Sequence, residues 1–202
     1  MYNIIADIAG RYNELMKLVE IMPKDREIIL VGDLVDRGPD SRKVVEWAMN
    51  TPGVFTLKGN HEDMMVESYE QGWADSDHMH NGGRSTMKSY GVNIPEDYPE
   101  SHINWMKNLP ICMEDDGLFV SHAPWPRAWS LMEIHYENLA IWNREPPSYR
   151  ENVYQVYGHN HQAEVHINGD GIEYARCIDN CAKRVLTGFT YPEKIIYEVP
   201  YE

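Results

Sequence analysis

Short aliphatic runs alternate with helically spaced apolar positions over the N-terminal third of the chain. Ile28-Ile29-Leu30-Val31 contains no polar position, so it reads as an interior strand covered on both faces. A shorter strand is expected at about Tyr2 to Ala6, and a third at about Val54 to Leu57. Between them, Leu15, Leu18, Val19 and Met22 recur at helical spacing, which predicts a helix over about Arg11 to Met22 that Pro23 closes. Ser41 is the expected cap of a second helix, with Val44, Val45 and Ala48 on its buried side. Strand, helix and strand joined by short loops predict parallel pairing and right-handed crossovers.

Downstream, a helix is expected from His61 to about Tyr69, with Met64, Met65 and Tyr69 inward. Gln71 to Arg84 is polar and glycine-rich and reads as a loop. Short helices follow around Thr86 to Tyr90 and Ser101 to Leu109. Strands are expected at Leu118 to Val120 and Val153 to Tyr157, and antiparallel strands over 164–202, where Asn168-Gly169 marks a turn. No repeat or linker divides the chain. The expectation is a single α/β domain over 1–202, with a mainly helical insertion at about 71–110 that could shape a pocket rim.

Polar residues stand where the aliphatic runs end. Asp7, Asp33, Asn60, His122 and His159 each follow a separate run. Open α/β sheets place their chemistry at the carboxyl ends of strands. Two carboxylates, an amide and two imidazoles suit a divalent ion, and imidazole moves the preference toward manganese, iron or zinc. One carboxylate can bridge two ions, and Asp33 ends the central strand. His61, next to Asn60, is then free to donate a proton to a leaving group, with Asp36 as the carboxylate that orients it. Arg37 and Arg144 offer forked donors for phosphate oxygens. The set reads as the site of a metal-dependent phosphoric ester hydrolase.

Composition narrows the partners. The chain has 202 residues and a formal net charge of -14. Such a surface repels nucleic acids and anionic membranes unless basic groups are locally concentrated, so neither stable DNA binding nor membrane association is expected. Cys112, Cys177 and Cys181 form no zinc signature and no disulfide framework, and read as structural or incidental thiols in a reducing, cytoplasmic setting.

The blocks ADIAG, GDLVDRG, GNHE, the histidine of SHA, and GHNH resemble the signature blocks of calcineurin-like metallophosphoesterases. Asn81-Gly82-Gly83 and Ile141-Trp142-Asn143-Arg144-Glu145 resemble the phosphoprotein phosphatase branch, in particular the small serine/threonine phosphatases of phages and bacteria. The resemblance implies an α+β sandwich of two mixed β-sheets flanked by helices. It implies two divalent metal ions, manganese first, with iron, zinc, nickel or magnesium as alternatives. Asp7 and Asp33 would hold the first ion. Asp33, Asn60, His122 and His159 would hold the second. His61, paired with Asp36, would be the acid, and Arg37 and Arg144 would clamp the phosphate.

The chain departs from that pattern at Ala9, where the family has a histidine ligand. Ala9 is read as a His→Ala exchange that weakens a parent enzyme; a natural variant is the other reading. His161, the second histidine of GHNH, is expected to contribute to the first metal and partly cover for Ala9. The leading substrate class is a phosphomonoester, on a phosphorylated protein or a small phosphorylated compound. The alternative is a dinucleoside polyphosphate, cyclic nucleotide or RNA end. A degenerate phosphatase that only binds a phosphorylated ligand is a third reading. Arg84, Trp125, Arg127 and Trp129 could stack a base, though rim and core roles are preferred.

Overall fold

The computed structural model describes residues 1–72, 77–125 and 140–202. Arg127 and Trp129 lie outside the described residues. Strands β1 (Tyr2–Ile5), β2 (Glu27–Leu30) and β3 (Val54–Thr56) pair in parallel through α1 (Tyr12–Ile21) and α2 (Ser41–Asn50). Helix α3 (Asn60–Gln71) follows β3. Then come α4 (Arg84–Tyr90) and α5 (Glu100–Lys107). The remaining strands are β4 (Cys112–Asp115), β5 (Leu118–Ser121), β6 (Tyr154–Tyr157), β7 (Glu164–Ile167), β8 (Glu173–Cys177), β9 (Val185–Tyr191) and β10 (Ile196–Pro200).

They form two five-stranded mixed sheets, ordered β10-β9-β1-β2-β3 and β4-β5-β6-β8-β7. This is the two-sheet sandwich implied by the resemblance. The parallel strands carry the aliphatic runs because both of their faces are covered. Ile4, Ile29, Val31 and Leu57 of the first sheet meet Leu118, Val120 and Val156 of the second, all at most 1% exposed. The other face of the first sheet packs on helices through Ile5, Leu15, Leu18, Leu30, Val44 and Val45.

Three expectations change, and one strand is added. Ser41 does not cap α2: the cap position is Asp40, and the Ser41 hydroxyl instead accepts from the Asp36 N–H at 3.1 Å and meets Thr86 Oγ1 at 3.0 Å. From Asp77 on, the 71–84 loop is largely helical, with a π-turn over Met79–Gly83 that kinks at Gly82 (φ +117°) and runs into α4. Its anchor is His78, fully buried in spite of its polar surroundings. β4 has no aliphatic run, since it is a partly exposed edge strand held by antiparallel pairing with β5. Within 164–202, β7/β8 and β9/β10 are antiparallel as expected, but β8 also runs parallel to β6. The carboxyl end of β8 therefore faces the same edge as those of β5 and β6.

Candidate active site

Asp7, Asp33, Asn60, His122 and His159 follow the carboxyl ends of β1, β2, β3, β5 and β6, and all are at most 4% exposed. The chain turns sharply at these ends. Asp7, Asp33, Asp36, Arg37, His159 and His161 all have φ between +51° and +74°. Non-glycine residues rarely adopt this left-handed region, and such strain concentrates at functional sites. Two glycines admit the carboxylates. A Cβ on Gly158 would lie 2.1 Å from Asp7 Oδ2, and one on Gly59 would lie 2.3 Å from Asp33 Oδ1.

Ligand-type atoms of Asp33, His122 and His159 converge within 4.8 Å of one another. His122 Nδ1 donates to the Val31 carbonyl at 2.7 Å, which fixes the ring. Its Nε2 faces Asn60 Oδ1 at 3.0 Å and Asp33 Oδ1 at 3.3 Å, which brings three ligand-type atoms together. His159 Nε2 is buried without a hydrogen-bond partner. Burial, then the neighbouring His122, push His159 down to about 3, so its imidazole stays neutral. Converging ligand-type atoms and an orphaned imidazole nitrogen fit a divalent cation.

Asp7 accepts from the His159 N–H at 3.1 Å and 3.3 Å. Burial, then the charges of Asp179 and Asp33, raise its carboxyl well above the usual range. Burial would raise Asp33 as well, but His122, then His61 and its backbone N–H, outweigh it and hold that carboxyl low. Carboxylates this crowded are stabilised by a cation among them.

Beside this cluster, His61 Nδ1 donates to Asp36 Oδ2 at 2.5 Å. The other Asp36 oxygen accepts from His78 Nε2 at 2.9 Å and Thr86 Oγ1 at 2.6 Å. Burial opposes charge on His61, but Asp33 and the Asp36 hydrogen bond outweigh it and raise the imidazole above its ordinary value. Arg37 Nη2 donates to His61 Nε2 at 3.1 Å, and Arg144 Nη1 to the His159 carbonyl at 3.1 Å. Both arginines are exposed at the site's mouth.

His161 stands apart from the Asp33 group. Its Nδ1 faces Cys181 Sγ at 2.8 Å and Asp179 Oδ2 at 3.7 Å. Trp125 sits edge-on to the core residue Phe119, with ring centroids 4.2 Å apart and the Arg150 guanidinium above it. Arg84 lines a separate cleft with Met87 and Lys88.

Sequence reasoning passed over His78, Thr86 and Glu62. Glu62 is fully buried and accepts from the N–H groups of Asp33, Leu34 and Gly59 at 2.8–2.9 Å, tying the β2 and β3 loops together. Burial and the charge of Asp33 push it up to about 7. The GNHE block displayed Glu62; nothing in the local pattern pointed to His78 or Thr86.

The calcineurin-like phosphoesterase family pattern matches residues 3–163. The chain belongs to the calcineurin-like phosphoesterase family. A symmetrical bis(5'-nucleosyl)-tetraphosphatase of Shewanella sp. (strain W3-18-1) is 27% identical over 143 residues, covering 68% of this chain and 49% of that protein. Serine/threonine-protein phosphatase 2 of Escherichia coli (strain K12) is 39% identical over 72 residues, 34% of this chain and 33% of that one. The chain thus spans about half the length of the tetraphosphatase it matches. A crystal structure provisionally described as a diadenosine tetraphosphatase shares the phosphoesterase fold with a TM-score of 0.69 at 18% identity, over 100% of this chain and 93% of that one.

Proposed function

We propose that the chain is a metal-dependent phosphoric ester hydrolase acting on dinucleoside polyphosphates, with phosphomonoesters as the second substrate class. The observation that carries the hydrolase reading is the Asp33–His122–His159 convergence beside the His61–Asp36 pair. The substrate order differs from the one favoured by sequence alone. Similarity to bis(5'-nucleosyl)-tetraphosphatases supports the nucleotide class, and the shorter match to a protein phosphatase supports the second.

A basic cleft adds support. A cavity of about 680 Å³ begins at Arg37 and is lined by Arg42, Lys43 and Lys88, with Asp40 and Glu46 offsetting two of the charges. On a chain of net charge -14, this is the local concentration of cations that a polyphosphate needs.

Asp7, Asp33, Asn60, His122 and His159 would hold the divalent ions, manganese being the first to try. Bound there, such ions neutralise charge on phosphoryl oxygens and acidify water. The chain's own groups do the rest. Arg37 and Arg144 grip non-bridging oxygens through paired N–H donors. In the resting geometry Arg37 occupies His61 Nε2, which keeps the ring proton on Nδ1, toward Asp36. Capture of Arg37 by phosphate frees Nε2. The charges of Asp33 and Asp36 then favour a second proton on the ring, which His61 passes to the leaving oxygen.

The test supplies manganese to chelator-stripped protein with diadenosine tetraphosphate, p-nitrophenyl phosphate, a phosphopeptide or a cyclic nucleotide. Fastest turnover of the tetraphosphate is expected. Preference for the phosphopeptide would make the monoester class primary. No turnover of any substrate would remove the enzyme reading in favour of a phosphoryl-ligand binding protein.

A further inference from the structure

The parallel run of β8 brings a sixth strand end to the site edge, and it carries donors that the proposed hydrolase chemistry does not use. Beyond Cys177 the chain crosses toward the first sheet through Asp179 and a 3₁₀ turn, Cys181–Lys183. Ligand-type atoms of His161, Asp179 and Cys181 all lie within 4.8 Å of one another. The Asp179 side chain is 1% exposed. Its carboxylate is fixed by two backbone donors, the N–H of His161 at 2.5 Å and that of Cys181 at 2.9 Å, which leave lone pairs for a third partner. His161 presents Nδ1 to both the carboxylate and the thiol, rather than bridging them with its two nitrogens. That geometry excludes a relay in which Asp179 orients the ring and Cys181 is activated by the other nitrogen. It suits three donors around one ion. Zinc bonds of ~2.0–2.3 Å at tetrahedral angles set donor atoms ~3.5 Å apart. Nδ1 and Oδ2, at 3.7 Å, already meet that spacing, and Nδ1 and Sγ, at 2.8 Å, need only a small separation.

We propose that His161, Asp179 and Cys181 form a divalent-cation site with a thiolate donor, suited to zinc or ferrous iron. Sulfur and imidazole donors favour those ions over magnesium or calcium. The three-donor site does not rest on the hydrolase reading.

The experiment titrates the metal-stripped full chain with cobalt(II), following the near-ultraviolet thiolate-to-cobalt absorption. The wild type should develop the band. Cys181→Ser should abolish it, and Asp33→Asn, in the other cluster, should keep it. In parallel, saturating zinc should slow alkylation of Cys181 in the wild type about tenfold or more, read by peptide mass spectrometry. This second arm needs no variant. Absence of the band, its survival in Cys181→Ser, or alkylation of Cys181 unchanged by zinc would overturn the site. A band with zinc protection but no phosphoester turnover would leave the cation site standing and remove the hydrolase reading; turnover without band or protection would do the reverse.

Discussion

Exchanging Asp36 for asparagine isolates the proton-transfer claim. The Asp36 carboxylate is fully buried and accepts from His61, His78 and Thr86 at 2.5–2.9 Å. Asparagine keeps the shape, and its oxygen can still serve His78 and Thr86. Its amide then faces His61 as a donor, which removes the charge that raises His61 and moves the ring proton off Nδ1. A hydrogen bond to a charged group is worth about 1.5–3 kcal/mol. At 1.36 kcal/mol per tenfold, Asp36→Asn should cost about 10- to 150-fold in kcat. His61→Asn removes the acid itself and should cost about 10²- to 10⁴-fold. The assay compares two leaving groups at saturating manganese. A nitrophenolate departs without a proton, whereas a simple alkoxide needs one. Both variants should therefore lose far more on an alkyl phosphate than on p-nitrophenyl phosphate. Equal losses on both substrates, with metal content unchanged, would refute an acid role for His61.

Other consequences follow from the same geometry. Glu62→Gln replaces a buried three-fold acceptor with an amide that can satisfy only part of the set; a loss of about 2–3 kcal/mol in unfolding free energy is expected by urea titration, and a loss under 0.5 would mean the clamp is idle. Ala9→His should raise manganese-dependent turnover if position 9 is a missing ligand, whereas equal rates would mean that the His161 group already fills the role. His102, 9% exposed and bonded to the Tyr90 hydroxyl at 3.0 Å, is held below the ordinary histidine value by burial. Below about pH 6.5 the unfolded chain binds a proton there that the folded chain refuses, so its contribution to stability falls with acidification. The drop in urea midpoint from pH 7.5 to 5.5 should be smaller in His102→Gln, and identical drops would show that His102 titrates alike in both states.

The legible part of the site has a physical basis. Parallel strands buried on both faces appear as aliphatic runs, and their last residues must turn to a polar edge, so Asp7, Asp33, Asn60, His122 and His159 stand out without any contact information. β8 hid its end because it is only partly buried, and Glu173 and Arg176, which pair with each other, break its apolar pattern. Asp179 and Cys181 were hidden with it. His78 and Thr86 reach Asp36 from 42 and 50 residues away, within or beside a segment that reads as a polar loop. Ser41 looks like a cap because cap chemistry and turn bracing use the same hydroxyl; only the tertiary position of the Asp36 N–H decides between them.

The central claim is that the strand-end cluster does its chemistry with divalent ions. The most direct measurement is hydrolysis of diadenosine tetraphosphate by chelator-stripped protein, with and without added manganese, in the wild type and in Asp33→Asn. Without metal no turnover is expected; adding manganese should start it in the wild type and give little or none in Asp33→Asn at any manganese concentration. Turnover that persists in excess chelator, or that survives intact in Asp33→Asn, would contradict it.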